Sequence, residues 1–82
     1  GGQLSARISG AEGSLWVVAD KKPKDAETKQ FVAAMTERLT ALSAAVTAAE
    51  NMPGPRRRAA HAAITEQLDG IDADLMARLG VL

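Results

Sequence analysis

The feature that most constrains the fold is an apolar stripe in the middle of the 82-residue chain. Apolar side chains recur there at alternating intervals of three and four residues, a pattern that lines one face of an α-helix. The stripe consists of Val32, Met35, Leu39, Leu42, Val46 and Ala49. Asp25 suits an N-cap, Asn51 can adopt the left-handed conformation that ends many helices, and Pro53 prevents continuation. The sequence therefore predicts a helix over residues 25–51.

A second apolar stripe follows after a short turn at residues 52–54. Pro55 suits the first position of a helix, where its missing N–H costs nothing. The second stripe consists of Ile64, Leu68, Ile71, Leu75 and Leu79. Gly70 interrupts it at a cost of about 1 kcal/mol relative to Ala, yet the stripe stays in phase. One helix over residues 55–79 is therefore favoured, with a break near Gly70 as the alternative. The short connection makes the two helices an antiparallel hairpin, with Leu39 and Leu68 predicted at mid-seam.

Residues 3–19 fit two interpretations. Apolar and polar residues alternate over residues 3–9, as in a strand, and residues 10–13 could form a turn. Residues 15–19 are apolar and of types common in strands, so the segment predicts a β-hairpin. The same segment also places Leu4, Ile8, Ala11, Leu15 and Val18 at helical spacing. The two glycines and the Trp-Val-Val run favour the β-hairpin. The predicted fold is thus mainly α, a long antiparallel helical hairpin on which a short N-terminal β-hairpin packs and buries Trp16.

Length and composition predict one small domain over residues 3–82, with Gly1-Gly2 interpreted as a cloning scar. The abrupt strand-like opening also suggests the C-terminal domain of a larger protein. The chain contains no cysteine, which excludes disulfides and thiolate metal sites and favours a cytoplasmic location. No apolar run approaches the ~18 residues of a membrane span. Lys+Arg and Asp+Glu both number 10, so no general attraction to nucleic acid or anionic lipid is expected.

The charged residues are clustered near the predicted helix ends. The basic clusters are Lys21, Lys22 and Lys24, before the first helix, and Arg56, Arg57 and Arg58, at the start of the second. In an antiparallel hairpin we expect the arginines to lie near Glu50, and the lysines near the acidic cluster of Asp69, Asp72 and Asp74. Charge compensation is therefore the favoured interpretation. Phosphate contacts are the alternative, weakened because the clusters lie at opposite ends and no aromatic residue accompanies them.

No catalytic or metal-binding pattern is present in the sequence. His61 is the single histidine, and Thr65 stands where a second ligand would follow one helical turn later. The three aspartates lack the remaining ligands of a calcium loop. The glycine-containing segment 10–14 lacks the Gly-Lys-Ser/Thr ending of a phosphate loop, and no serine belongs to a nucleophile motif. We therefore expect neither an enzyme, nor a cofactor, nor a metal site.

The remaining apolar and small residues predict an interaction surface. It consists of a flank of the first helix and a small-residue stripe of the second: Phe31, Ala34, Ala41, Ala45, Ala48, Met52, Ala59, Ala63, Ala73 and Ala77. A two-helix hairpin leaves such flanks exposed, and monomers rarely tolerate large apolar patches. The predicted function is a non-catalytic, coiled-coil-like protein-interaction or oligomerisation module, with a homodimer slightly favoured over another protein partner. An accessory nucleic-acid-binding domain is the alternative.

Overall fold

Three helices form an elongated bundle in the structure, a computed structural model that describes residues 2–81. They are α1 (Gly2–Lys21), α2 (Ala26–Ala49) and α3 (Gly54–Val81). Short connections make consecutive helices antiparallel, so α1 and α3 run in the same direction. The bundle measures 45 × 18 × 17 Å. The predicted cloning scar falls partly on Gly1, which lies outside the described residues together with Leu82.

The predicted N-terminal β-hairpin is wrong. Residues 2–21 form one continuous helix, and the described chain, residues 2–81, contains no strand. The helical spacing that was the alternative interpretation defines the buried face, which consists of Leu4, Ile8, Ala11, Leu15 and Val18. Burying these five side chains against the other helices outweighs the cost of about 1 kcal/mol for each helical glycine. A two-stranded hairpin would have buried only alternate residues and left unpaired edges.

The core lies along the axis of the bundle and takes residues from all three helices. Its members are Leu4, Ile8, Ala11, Leu15, Val18, Met35, Leu39, Leu42, Val46, Ile64, Leu68, Ile71 and Leu75. Leu39 and Leu68 are buried, as predicted for mid-seam positions. α3 passes through Gly70 without a break. The two-helix hairpin is therefore one part of a three-helix core, and α1 covers the apolar arc that it would leave exposed.

Local hydrogen bonds explain where α2 begins and ends. Asp25 is the N-cap, and its Oδ2 accepts hydrogen bonds from the backbone N–H and the hydroxyl of Thr28, both at 2.8 Å. This pairing also satisfies the hydroxyl of Thr28, which is buried. The predicted left-handed Asn51 is wrong, because no residue in the described chain has a positive φ. Instead the N–H groups of Asn51 and Met52 bond to carbonyls three residues earlier, at 3.2 and 3.1 Å.

Ion pairs connect α3 to both of its neighbours, in an arrangement that differs from the predicted one. Arg7 of α1 donates to Asp69 at 2.9 Å and to Asp72 at 2.7 Å. Arg38 of α2 donates to Asp74 at 2.9 Å. The acidic cluster therefore pairs with arginines of α1 and α2. Lys21, Lys22, Lys24 and Glu50 make no ion pair within the described residues.

Candidate interaction surface

The three seams of the bundle differ in what covers the core. The α1–α3 seam is closed by the ion pairs of Arg7, and the α2–α3 seam by that of Arg38. At the latter seam, the guanidinium of Arg78 also lies over the ring of Phe31, 4.7 Å from its centroid. No ion pair spans the α1–α2 seam between residues 2 and 81. This seam is an open groove instead.

The groove between α1 and α2 encloses about 590 Å³. Its floor includes the core residues Leu15 and Leu39, and its sides carry mostly small or hydroxyl-bearing residues. The lining residues are Glu12, Leu15, Trp16, Ala19, Val32, Thr36, Leu39, Thr40, Ser43, Ala44 and Thr47. Glu12 is the single charged residue among them. We call this region the α1–α2 groove.

Trp16 stands at the rim of the α1–α2 groove, and its predicted burial is wrong. Its side chain is 76% exposed, and that of the adjacent Val17 is 48% exposed. The reason is helical phase: Leu15 and Val18 take the inward positions, so Trp16 and Val17 between them point outward. An aromatic residue with this much exposed surface, beside an apolar hollow, is typical of an interaction site.

The outer face of α1 is unusually poor in charge for a solvent-facing helix. Among residues 2–19 only Arg7 and Glu12 are charged, and Arg7 is occupied by its ion pairs with α3. The exposed residues of this helix include Ser5, Ala6, Ser9, Gly10, Gly13, Trp16 and Val17. Surface helices normally place charged residues on the side facing water. This scarcity of charge is visible in the sequence, and it is the signal that could have identified the surface.

The structure places the ten residues predicted to form the interaction surface on α2, on α3 and in the turn between them, and none of them on α1. Phe31 and Ala45 are half-buried and pack against the core, and Met52 is half-buried in the turn. The other seven residues, all alanines, are exposed on α2 and α3: Ala34, Ala41, Ala48, Ala59, Ala63, Ala73 and Ala77. Phe31 and Ala77 line a shallow cleft together with Arg78. None of the ten lines the α1–α2 groove.

The two basic clusters are exposed at opposite ends of the bundle. Lys21, Lys22 and Lys24 surround the connection between α1 and α2, and Arg56, Arg57 and Arg58 lie in the first turns of α3. Antiparallel packing places these two connections nearly one bundle length apart. The structure therefore does not join the candidate phosphate contacts into one continuous patch.

Arg7 and Asp25 form hydrogen bonds that serve the fold. Hydrogen bonds to Asp72 and then Asp69 raise the pKa of the Arg7 guanidinium. The hydrogen bonds from Thr28, first from its backbone N–H, lower the pKa of Asp25. His61 is half-buried, and its buried Nε2 has no hydrogen-bond partner among residues 2–81. Within residues 2–81, no group of three or more His, Cys, Asp or Glu side chains is arranged to hold a metal ion.

Comparisons with other proteins place the chain in a family. None of the described helices is both long and apolar enough to cross a membrane. No match to the chain is found among curated proteins or among solved structures. A family model does match residues 1–82. The chain therefore belongs to the family described as "Family of unknown function (DUF6474)".

Proposed function

We propose that this domain is a non-catalytic protein-interaction module whose binding surface is the α1–α2 groove with Trp16 at its rim. The observation that carries the proposal is the 76% exposure of Trp16 beside a groove with one charged lining residue. Tryptophan is the residue type most enriched among binding hot spots, because it buries a large area at small entropic cost. We place this interaction in the cytoplasm, on the basis of the cysteine-free sequence.

The outer side of α1, away from the lining of the α1–α2 groove, carries two exposed glycines, Gly10 and Gly13. Apart from the nearby backbone of α1 itself, a Cβ added at Gly10 or Gly13 would meet no atom of the described residues within 4 Å, so no contact with another element requires glycine there. Each glycine nevertheless costs the helix about 1 kcal/mol relative to Ala. Glycine allows another backbone to come close to a helix. These two positions therefore suit a helix surface that another chain approaches.

The chemistry of the α1–α2 groove defines the partner that it fits. A bound surface must offer apolar or small side chains to cover Trp16 and the half-buried Val32. It must also tolerate the hydroxyl groups along α2, which can bond to water or to the partner. An amphipathic helix that lays its apolar side along the groove meets both requirements.

The test is a binding experiment with two exposed-residue variants. The wild-type domain, Trp16→Ala and Met76→Ala are each immobilised and exposed to extract of cells that express the protein. Met76 on α3 is 73% exposed and lies outside the groove, so it is a matched large apolar control. We expect proteins retained by the wild type and by Met76→Ala to be lost with Trp16→Ala. Equal retention by all three would contradict the proposal, and so would no retention by any of them if the domain also fails to self-associate.

A further inference from the structure

We infer that the occupant of the α1–α2 groove is a second copy of this chain, related by a two-fold axis that runs along the helices. This inference rests on the interaction role proposed above and names its partner. In the dimer, α1 of each copy lies against α2 of the other. Trp16 of one copy then packs on the hydroxyl-lined wall around Thr36 and Thr40 of the other.

The first support is that the surface is complementary to itself. A two-fold interface uses the same patch twice, so that patch must contain both a projection and a hollow that receives it. Trp16 is the projection, and it stands on α1. The hollow is the adjacent wall of α2, whose side chains are small: Thr36, Thr40, Ser43, Ala44 and Thr47. A rotation of 180° about an axis parallel to the helices places α1 of one copy opposite α2 of the other. Each Trp16 then faces the hollow on the other copy's α2.

The second support is the direction of the helices. α1 and α2 are antiparallel within one copy. Rotation about an axis parallel to the helices does not change their direction, so α1 is also antiparallel to α2 of the other copy. The four helices at the centre of the dimer then alternate in direction, as in up-down-up-down four-helix bundles. Their end dipoles are opposed at every contact, which is the favourable arrangement.

The third support is that area and charge both permit a stable dimer. One long side of the bundle measures 45 by 18 Å. Its projection is roughly 800 Å², so a dimer that covers this whole side would match the area that each partner contributes to a standard specific interface. The net charge of the chain is zero, so two copies do not repel each other at long range. Glu12 is the one charged residue that lines the groove.

The test measures the mass of the full chain by analytical ultracentrifugation across a wide concentration range. Ala44→Glu places a charge in the groove, and Ala73→Glu places the same charge on the outer side of α3. Both alanines are exposed, so neither change disturbs the core, and circular dichroism confirms that each variant folds. We expect a dimer for the wild type and Ala73→Glu. We expect Ala44→Glu and Trp16→Ala each to raise the dissociation constant by about thirtyfold or more.

Fluorescence gives a second measurement of the same event. Trp16 is the single tryptophan, so its emission reports this site alone. In the wild type we expect emission to shift to shorter wavelength, and acrylamide quenching to fall, as the concentration rises through the dissociation constant. In Ala44→Glu both properties should stay at their monomer values over the same range.

The inference is overturned if the wild type remains monomeric throughout, or if Ala44→Glu and Ala73→Glu weaken the dimer equally. The extract experiment then decides the broader proposal separately. Retention of another protein that depends on Trp16 would keep the interaction role and replace the second copy as the occupant. Absence of both self-association and Trp16-dependent retention would overturn both.

Discussion

At the residue scale, the buried leucines at the centre of the bundle set its stability. Leu68 is completely buried among residues of all three helices. We expect Leu68→Ala to lower the free energy of unfolding by about 2–5 kcal/mol, because it removes buried surface and leaves a cavity. Met76→Ala on the same helix should change it by less than about 0.5 kcal/mol, since Met76 is exposed. Urea denaturation of the two variants checks the difference, and similar midpoints would mean that Leu68 is not a core residue.

Single residues also mark the limit of prediction from sequence. Leu39 and Leu68 could be placed correctly because each belongs to a long stripe with one consistent period. Trp16 could not, because its hydrophobicity favours burial while its helical phase places it outside. Whether Trp16 is buried or exposed depends on whether residues 2–21 form a helix. Contacts of this segment with α2 and α3 decide that. The most exposed large residue of the candidate site was therefore predicted as a buried one.

At the element scale, the N-cap of α2 predicts a pH dependence of stability. Hydrogen bonds from Thr28 hold the pKa of Asp25 below its ordinary value in the folded chain. Both states are ionised above the unfolded pKa of about 3.9, so the stabilisation is complete there. As the pH falls further, the unfolded chain binds a proton more readily, and the stabilisation is lost as the pH passes through the folded pKa.

The check compares the wild type with Asp25→Asn, which keeps a capping side chain without the titrating carboxyl. Urea denaturation is measured at several values between about pH 5 and pH 2. We expect the stability of the wild type to fall more steeply over this range than that of Asp25→Asn. Parallel pH profiles for the two proteins would show that the carboxylate of Asp25 does not stabilise the cap.

α1 is an integral element of the fold, and its removal should destabilise the other two helices. It supplies five buried residues, and without it one side of the α2–α3 hairpin is open to water. We expect a fragment of residues 22–82 to lose its cooperative thermal unfolding, because two helices of this length bury too little apolar surface. Circular dichroism during heating is the measurement. A sharp unfolding transition in the fragment would mean that the hairpin is stable alone.

The same element explains why the predicted fold was wrong in part. The two longer helices were predictable because stripes, a capping aspartate and prolines all favoured the same boundaries. In α1 the local signals disagreed, since glycines and β-branched residues favoured strands while apolar spacing also allowed a helix. Such a conflict is resolved by packing, and packing depends on partners that are distant in sequence.

At the scale of the whole molecule, the distribution of charge separates the functional candidates. The ion pairs lie on the two seams that involve α3, and the third seam is left almost without charge. The scarcity of charge along α1 is visible in the sequence, but the seam that it leaves uncharged could not be identified there, because that depends on which helix faces which. It moves the candidate surface away from the predicted alanine flanks of α2 and α3 and toward α1.

The two basic clusters are too far apart to contact nucleic acid as one surface. Lys21, Lys22 and Lys24 and the three arginines lie at opposite ends of a bundle 45 Å long, in a chain of zero net charge. Few phosphates can then be neutralised at once, and the affinity for generic DNA or RNA should stay weaker than about 10⁻⁴ M at physiological salt. Fluorescence anisotropy with labelled duplex DNA and single-stranded RNA is the measurement, repeated at about 50 mM and 200 mM salt. Tighter binding that weakens steeply with salt, and disappears in a triple Arg56→Glu, Arg57→Glu, Arg58→Glu variant, would favour a nucleic-acid role. Trp16→Ala is the control for that outcome, because it leaves both basic clusters intact while removing the centre of the protein-binding surface.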